Sequence, residues 1–158
     1  MTRTKTAAAV SVGAMAIVLL WYFVAEPYRA NLTKREVAAI TNAALLGPER
    51  EAAAMARENL QRLQRLSYPS VLDPEIHVLK AANYRVLRRY QEAIAAYDEA
   101  LRLEPTAHIY LNRGVTQLAA GRPEAAHESF SRAVRFDRSL AAEAMDAEQT
   151  YRSMLPRP

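Results

Sequence analysis

Residues Tyr90–Pro105 read YQEAIAAYDEALRLEP, and the pattern returns 33 residues later as PEAAHESFSRAVRFDR, Pro123–Arg138. Set in register, Ala93 meets Ala126, Tyr97 meets Phe130, Ala100 meets Ala133, Leu101 meets Val134 and Leu103 meets Phe136. A small, aromatic, small order spread over about two turns places the three side chains on one face of a helix. Small residues let a neighbouring helix come close, and the ring fills the space left between them. The segments just upstream match as well. Ala81 stands opposite Gly114 as the small residue of a close crossing, and Arg88 and Gly121 mark the turns that follow. The spacing therefore predicts two consecutive helical hairpins.

With these residues in place, the chain resembles the tetratricopeptide repeat family, a 34-residue helix-turn-helix unit. In residues 74–107 the family's small residue falls on Ala81, its aromatics on Tyr84, Tyr90 and Tyr97, its further small residues on Ala93 and Ala100, and its closing proline on Pro105. Residues 108–140 supply Tyr110, Gly114, Gly121, Ala126, Phe130 and Ala133. The departures are His77 and Gln117 at aromatic positions, Arg88 where glycine is usual, and Arg138 in place of proline. The resemblance implies a right-handed stack whose first helices line a concave groove for a peptide or a partner's helix. Carried onto this chain, the groove comprises Val78, Ala82 and Arg85 from the first unit, and His108, Leu111, Asn112 and Val115 from the second. About half of such a groove is filled by the chain's own helices, which leaves Arg85, His108 and Asn112 as the contacts. Family members that clamp an acidic C-terminal tail use Lys and Asn where this chain has Val78 and Ala82. Weak or no binding of such tails is expected.

Residues 26–73 read as a hairpin, a degenerate repeat at best, followed by a connector. Leu32, Val37, Ile40, Ala44 and Leu45 recur at helical spacing, and Thr33 followed by Glu36 suggests a capping box at the start of that helix. Gly47 and Pro48 end it. Met55, Leu60, Leu63 and Leu66 form the stripe of the next helix, whose Glu49 and Glu51 suit its N-terminus. The prolines of SYPSVLDP then break the pattern. At the other end, residues 141–155 predict a helix stopped by Pro156, a cap that closes the stack against water.

Residues 1–6 form a short tail with Arg3 and Lys5. From Thr6 to Ala25 there is no charge, and residues 7–25 as a helix extend about 28 Å. That matches the hydrocarbon thickness of a bilayer, about 30 Å. Trp21, Tyr22 and Phe23 at its end suit the membrane interface. A cleavable signal fits less well, because Phe23 stands where a small residue is needed. The expectation is a single-pass anchor contacting lipid through residues 7–25. Its N-terminus would lie inside, so that in a bacterial inner membrane the helical domain would face the periplasm.

The net charge of +4 includes Arg3 and Lys5, and the remainder is spread without a block, so no nucleic-acid footprint is predicted. The chain has no cysteine, which excludes disulfides, thiolate metal sites and thiol nucleophiles. His77, His108 and His127 fall in different helices without partners at metal or catalytic spacing, and the four glycines build no phosphate loop. No catalytic, cofactor or metal residue is expected. Arg57, Arg62 and Arg65, and Arg85, Arg88 and Arg89, read as solvated helix faces, with attraction to anionic headgroups as an alternative. The fold expected is all-α: one transmembrane helix followed by a short repeat solenoid. The function expected is an accessory, scaffold or assembly subunit bound to other membrane proteins, or alternatively a membrane receptor that transiently binds a peptide or exported protein.

Overall fold

The computed structural model describes residues 14–46, 48–66 and 70–155, with the backbone alone for 42–46. The expected tail (1–6), residues 7–13 of the expected span, and the Gly47, Pro69 and Pro156 breaks lie outside them. Residues 14–20 are helical and lead through a π-helical turn, Trp21–Ala25, straight into α1, Glu26–Leu46. The cause of the turn lies in Pro27. It has no N–H to donate, and its ring would press on the carbonyl one turn back, so the helix widens and Glu26 N–H reaches Trp21 O instead.

The helices that follow are α2 (Glu49–Gln64), α3 (Pro74–Val86), α4 (Tyr90–Leu103), α5 (Ala107–Ala119), α6 (Pro123–Phe136) and α7 (Ala141–Met154). Helix starts are set locally. The Asp73 carboxylate accepts from Glu75 N–H ahead of α3, and the Thr106 hydroxyl accepts from Ile109 N–H ahead of α5. Pro74 and Pro123 occupy first turns, where a missing N–H costs nothing. The expected capping box at Thr33 is not formed. Thr33 lies inside α1, because nothing upstream of it ends the helix.

Side-chain pairings give the directions. Arg29 meets Arg65, Glu36 meets Arg62 and Thr41 meets Asn59, so α1 and α2 are antiparallel. Lys34 meets Glu75 and Thr41 meets Asn83, so α1 and α3 run parallel. Arg113 with Ser129 and Tyr110 with Phe136 make α5 and α6 antiparallel. Both helices of the upstream hairpin thus pack on α3, whereas α5 packs on the preceding hairpin mainly through α4.

Three buried clusters follow one another along the stack. Ala30, Val37, Leu63, Leu66, Ile76 and Leu79 join α1, α2 and α3. Ala81, Tyr97, Ala100 and Ile109 join α3, α4 and α5. Leu111, Leu118, Ala126, Phe130, Ala133, Leu140 and Ala144 join α5, α6 and α7. Each hairpin therefore hides its apolar face on its neighbours, the arrangement of a solenoid. At the two turns Arg88 and Gly121 share the left-handed conformation, with φ of 56° and 72°. Glycine adopts it freely, whereas arginine carries a steric cost there.

Candidate partner-binding groove

The expected contact residues lie on α3 (Val78, Ala82, Arg85) and α5 (His108, Leu111, Asn112, Val115). The seam between α1 and α3 is closed by ions and amides. Lys34 Nζ lies 2.7 Å from Asp73 and 2.6 Å from Glu75. Burial acts to lower the Lys34 pKa, but the hydrogen bonds and charges of Asp73 and Glu75 outweigh it and hold the group above the ordinary lysine value. Deeper in, Asn59 Nδ2 donates to Asn83 Oδ1 at 3.1 Å, and Asn83 Nδ2 donates to Thr41 Oγ1 at 3.0 Å and to Leu79 O at 2.8 Å. The Thr41 hydroxyl donates to Val37 O at 2.7 Å. All three side chains are buried, so a wrong docking of α1 on α2 and α3 would strand amides away from water.

Between α3 and α5 the groove is shallower. Val78, Ala82 and Arg85 are half-buried, as are Asn112 and Val115, while His108 is exposed. Val78 packs on the middle cluster and Val115 on the C-terminal one, so both form floor rather than rim. Leu111 departs from the expectation. It is 3% exposed and belongs to the core with Phe130 and Leu118, so a partner cannot reach it. It points toward α6 because α5 must bury one stripe against that helix. Tyr97 is buried, and burial pushes its phenol pKa up while the nearby Arg85 charge opposes that rise. Where α5 faces the second helices α4 and α6, Arg113 pairs with Asp98 at 2.8 Å and donates to Ser129, which in turn donates to Gln117.

What the groove offers is an apolar strip of Val78, Ala82 and Val115 edged by Arg85, Asn112 and His108. Such a surface suits a partner's helix with one apolar stripe or a peptide with hydrogen-bonding backbone. It has no lysine to match a carboxylate tail. A separate cleft of about 390 Å³ lies between α6 and α7, lined by Phe130, Val134, Ala144 and Met145 and crossed by His127 and Glu148 at 2.8 Å. Sequence reasoning did not find it. Among the described residues no three His, Cys, Asp or Glu come together as a metal-binding group.

Trp21, Tyr22 and Phe23, expected at a membrane interface, are exposed, as are Met15, Ile17, Val18, Leu19, Leu20 and Val24. No helix among the described residues is long and apolar enough to cross a membrane. Residues 7–13, the rest of the expected span, lie outside them.

Stacked helical hairpins with parallel first helices define a helical-repeat architecture of the kind that serves protein–protein interaction. The family model for the tetratricopeptide repeat matches residues 74–107, the boundaries expected for the first unit. No curated protein matches the chain.

Proposed function

We propose that this chain is a membrane-anchored interaction module that acts without chemistry of its own, as an accessory, scaffold or assembly subunit of a membrane protein complex. The observation that carries the reading is the continuity of helix from residue 14 to Leu46. A run of exposed apolar side chains passes into the first helix of the repeat stack with no flexible linker between them. Exposed apolar surface of this extent is costly in water and favourable in lipid. The uncharged stretch of residues 6–25 extends it to a bilayer's thickness. Anchoring confines the groove near the membrane and raises the effective concentration of a membrane-bound partner. With the N-terminus inside, the domain of a bacterial inner-membrane protein would face the periplasm.

The test joins two measurements on the full chain. The protein should stay with the membrane pellet through an alkaline carbonate wash. A photo-crosslinking residue at position 112 should then join it to a membrane protein, while one at position 99, on the outer face of α4, should not. Release into the supernatant would remove the anchor, and capture from position 99 alone would move the partner off the groove.

A further inference from the structure

We infer that the foot of the N-terminal hairpin, formed by Arg29 and Arg65, binds phosphate-bearing anionic lipid headgroups. The inference rests on the anchored reading of residues 7–25. Because α1 and α2 are antiparallel, the end of α2 returns to the level at which the apolar helix enters the domain. Arg29 Nη2 donates to Arg65 O at 3.2 Å, which ties the two levels together.

Helical side chains lean toward the N-terminus, and Arg29 follows that rule. Its guanidinium lies 5.9 Å from the centre of the Trp21 ring, although its backbone stands two turns further along. Trp21 belongs to the aromatic group expected at the headgroup boundary. The charge of Arg29 is therefore brought down to the depth where lipid phosphates lie. Arg29 also meets the buried carboxylate of Glu26 at 3.1 Å, so part of its charge is balanced locally. Arg65 is exposed and has no carboxylate within ion-pair distance among the described residues.

A cleft of about 420 Å³ opens between α1 and α2 just above this point, with Arg29, Arg62 and Arg65 on its walls. Its two acids, Glu36 and Glu58, are both engaged by Arg62 at 2.9 Å. That leaves the Arg65 fork free to face an incoming anion, with Arg29 beside it. Guanidinium groups match phosphate oxygens in pairs, which favours a phosphate headgroup over a diffuse negative surface.

Trp21 is the one tryptophan of the chain, so its fluorescence reports this site alone. The full-length protein is reconstituted into two vesicle series with equal mole fractions of brominated chains, carried by phosphatidylglycerol in one and phosphatidylcholine in the other. The expected result is stronger quenching by the anionic lipid. Arg65→Gln should lower its local enrichment by about fivefold, the effect of one basic residue at a charged membrane surface. Arg65→Lys should keep most of the preference, and Arg57→Gln should keep all of it. Equal quenching in both series, or an unchanged preference in Arg65→Gln, would overturn the site while leaving the anchor standing. No quenching in either series would place Trp21 outside the bilayer, and both readings would fall together.

Discussion

Adding one methyl group at Gly114 should destabilise the protein, against the local preference of a helix. Alanine in a helix interior is better than glycine by about 1 kcal/mol, so Gly114→Ala on an open surface would stabilise α5. Here the new Cβ would stand 2.5 Å from Cε1 and 2.7 Å from Cδ1 of Phe130. Carbon atoms settle at about 3.5–4.0 Å, so the ring or the helix must retreat by about 1 Å. Phe130 is buried among Leu111, Leu118, Ala126 and Ala133 and has little room to retreat. Overpacking of a filled core costs about 1–3 kcal/mol. Against the propensity gain, the net loss is up to about 2 kcal/mol, or up to roughly 8 °C in melting temperature for a chain of this length. The assay is thermal unfolding of the full chain in mild detergent, followed by circular dichroism. Phe130→Leu supplies the control, since removing the ring should abolish the penalty, and in that background Gly114→Ala should become neutral or stabilising. A rise in melting temperature for Gly114→Ala alone, or the same loss with Leu at position 130, would refute the close crossing.

At the turns, Arg88→Gly should raise stability by about 0.5–1 kcal/mol by relieving a positive φ, and Gly121→Ala should lower it by a similar amount; melting temperatures of the pair check both signs. The ion pair lost at Arg88 is solvent-exposed on both sides and contributes little. Asn83→Ala strands Asn59 and Thr41 in the α1–α2–α3 seam and should cost about 2–3 kcal/mol in urea unfolding. Because the folded-state pKa of Lys34 is raised, its stabilisation is complete below the ordinary value of 10.5 and is lost as pH climbs through the folded value. Lys34→Met should therefore flatten the alkaline end of the stability profile, measured as melting temperature against pH. An acidic C-terminal tail peptide should show weak or no binding by calorimetry, because Val78 and Ala82 stand where a clamp needs polar and cationic groups.

The repeat pair was legible because close helix crossings need small residues and a filling ring, and that need is written in side-chain size at Ala93, Tyr97 and Ala100 and again at Ala126, Phe130 and Ala133. Gly121 announced its turn. Arg88 marked its turn only through its register with Gly121, since its left-handed conformation is imposed by the hairpin around it and not by its own preference. Thr33 misled because a capping pattern has the same letters inside a helix as at its start, and only the continuity of the chain upstream distinguishes the two. Asn59 and Asn83 interrupt apolar stripes at core spacing, a signal of a buried polar seam that composition alone does not resolve into partners. Leu111 looked like groove because a helix with apolar residues on two sides does not state which side meets its own domain. The contact of Arg29 with Trp21 depends on where a side chain leans over two turns, which spacing suggests and coordinates define.

The central claim is that the stack is held at a membrane to grip a partner through the α3–α5 groove. Purification of the full-length protein from its native membrane in mild detergent, with mass spectrometry of what stays bound through gel filtration, tests it most directly when wild type is compared with Ala82→Arg. The account predicts a membrane protein retained by wild type, in fixed ratio if the chain is a built-in subunit and in trace amounts if it is a transient receptor, and lost from the variant. Recovery of wild type alone at its own size, or a partner that Ala82→Arg retains in full, would contradict it.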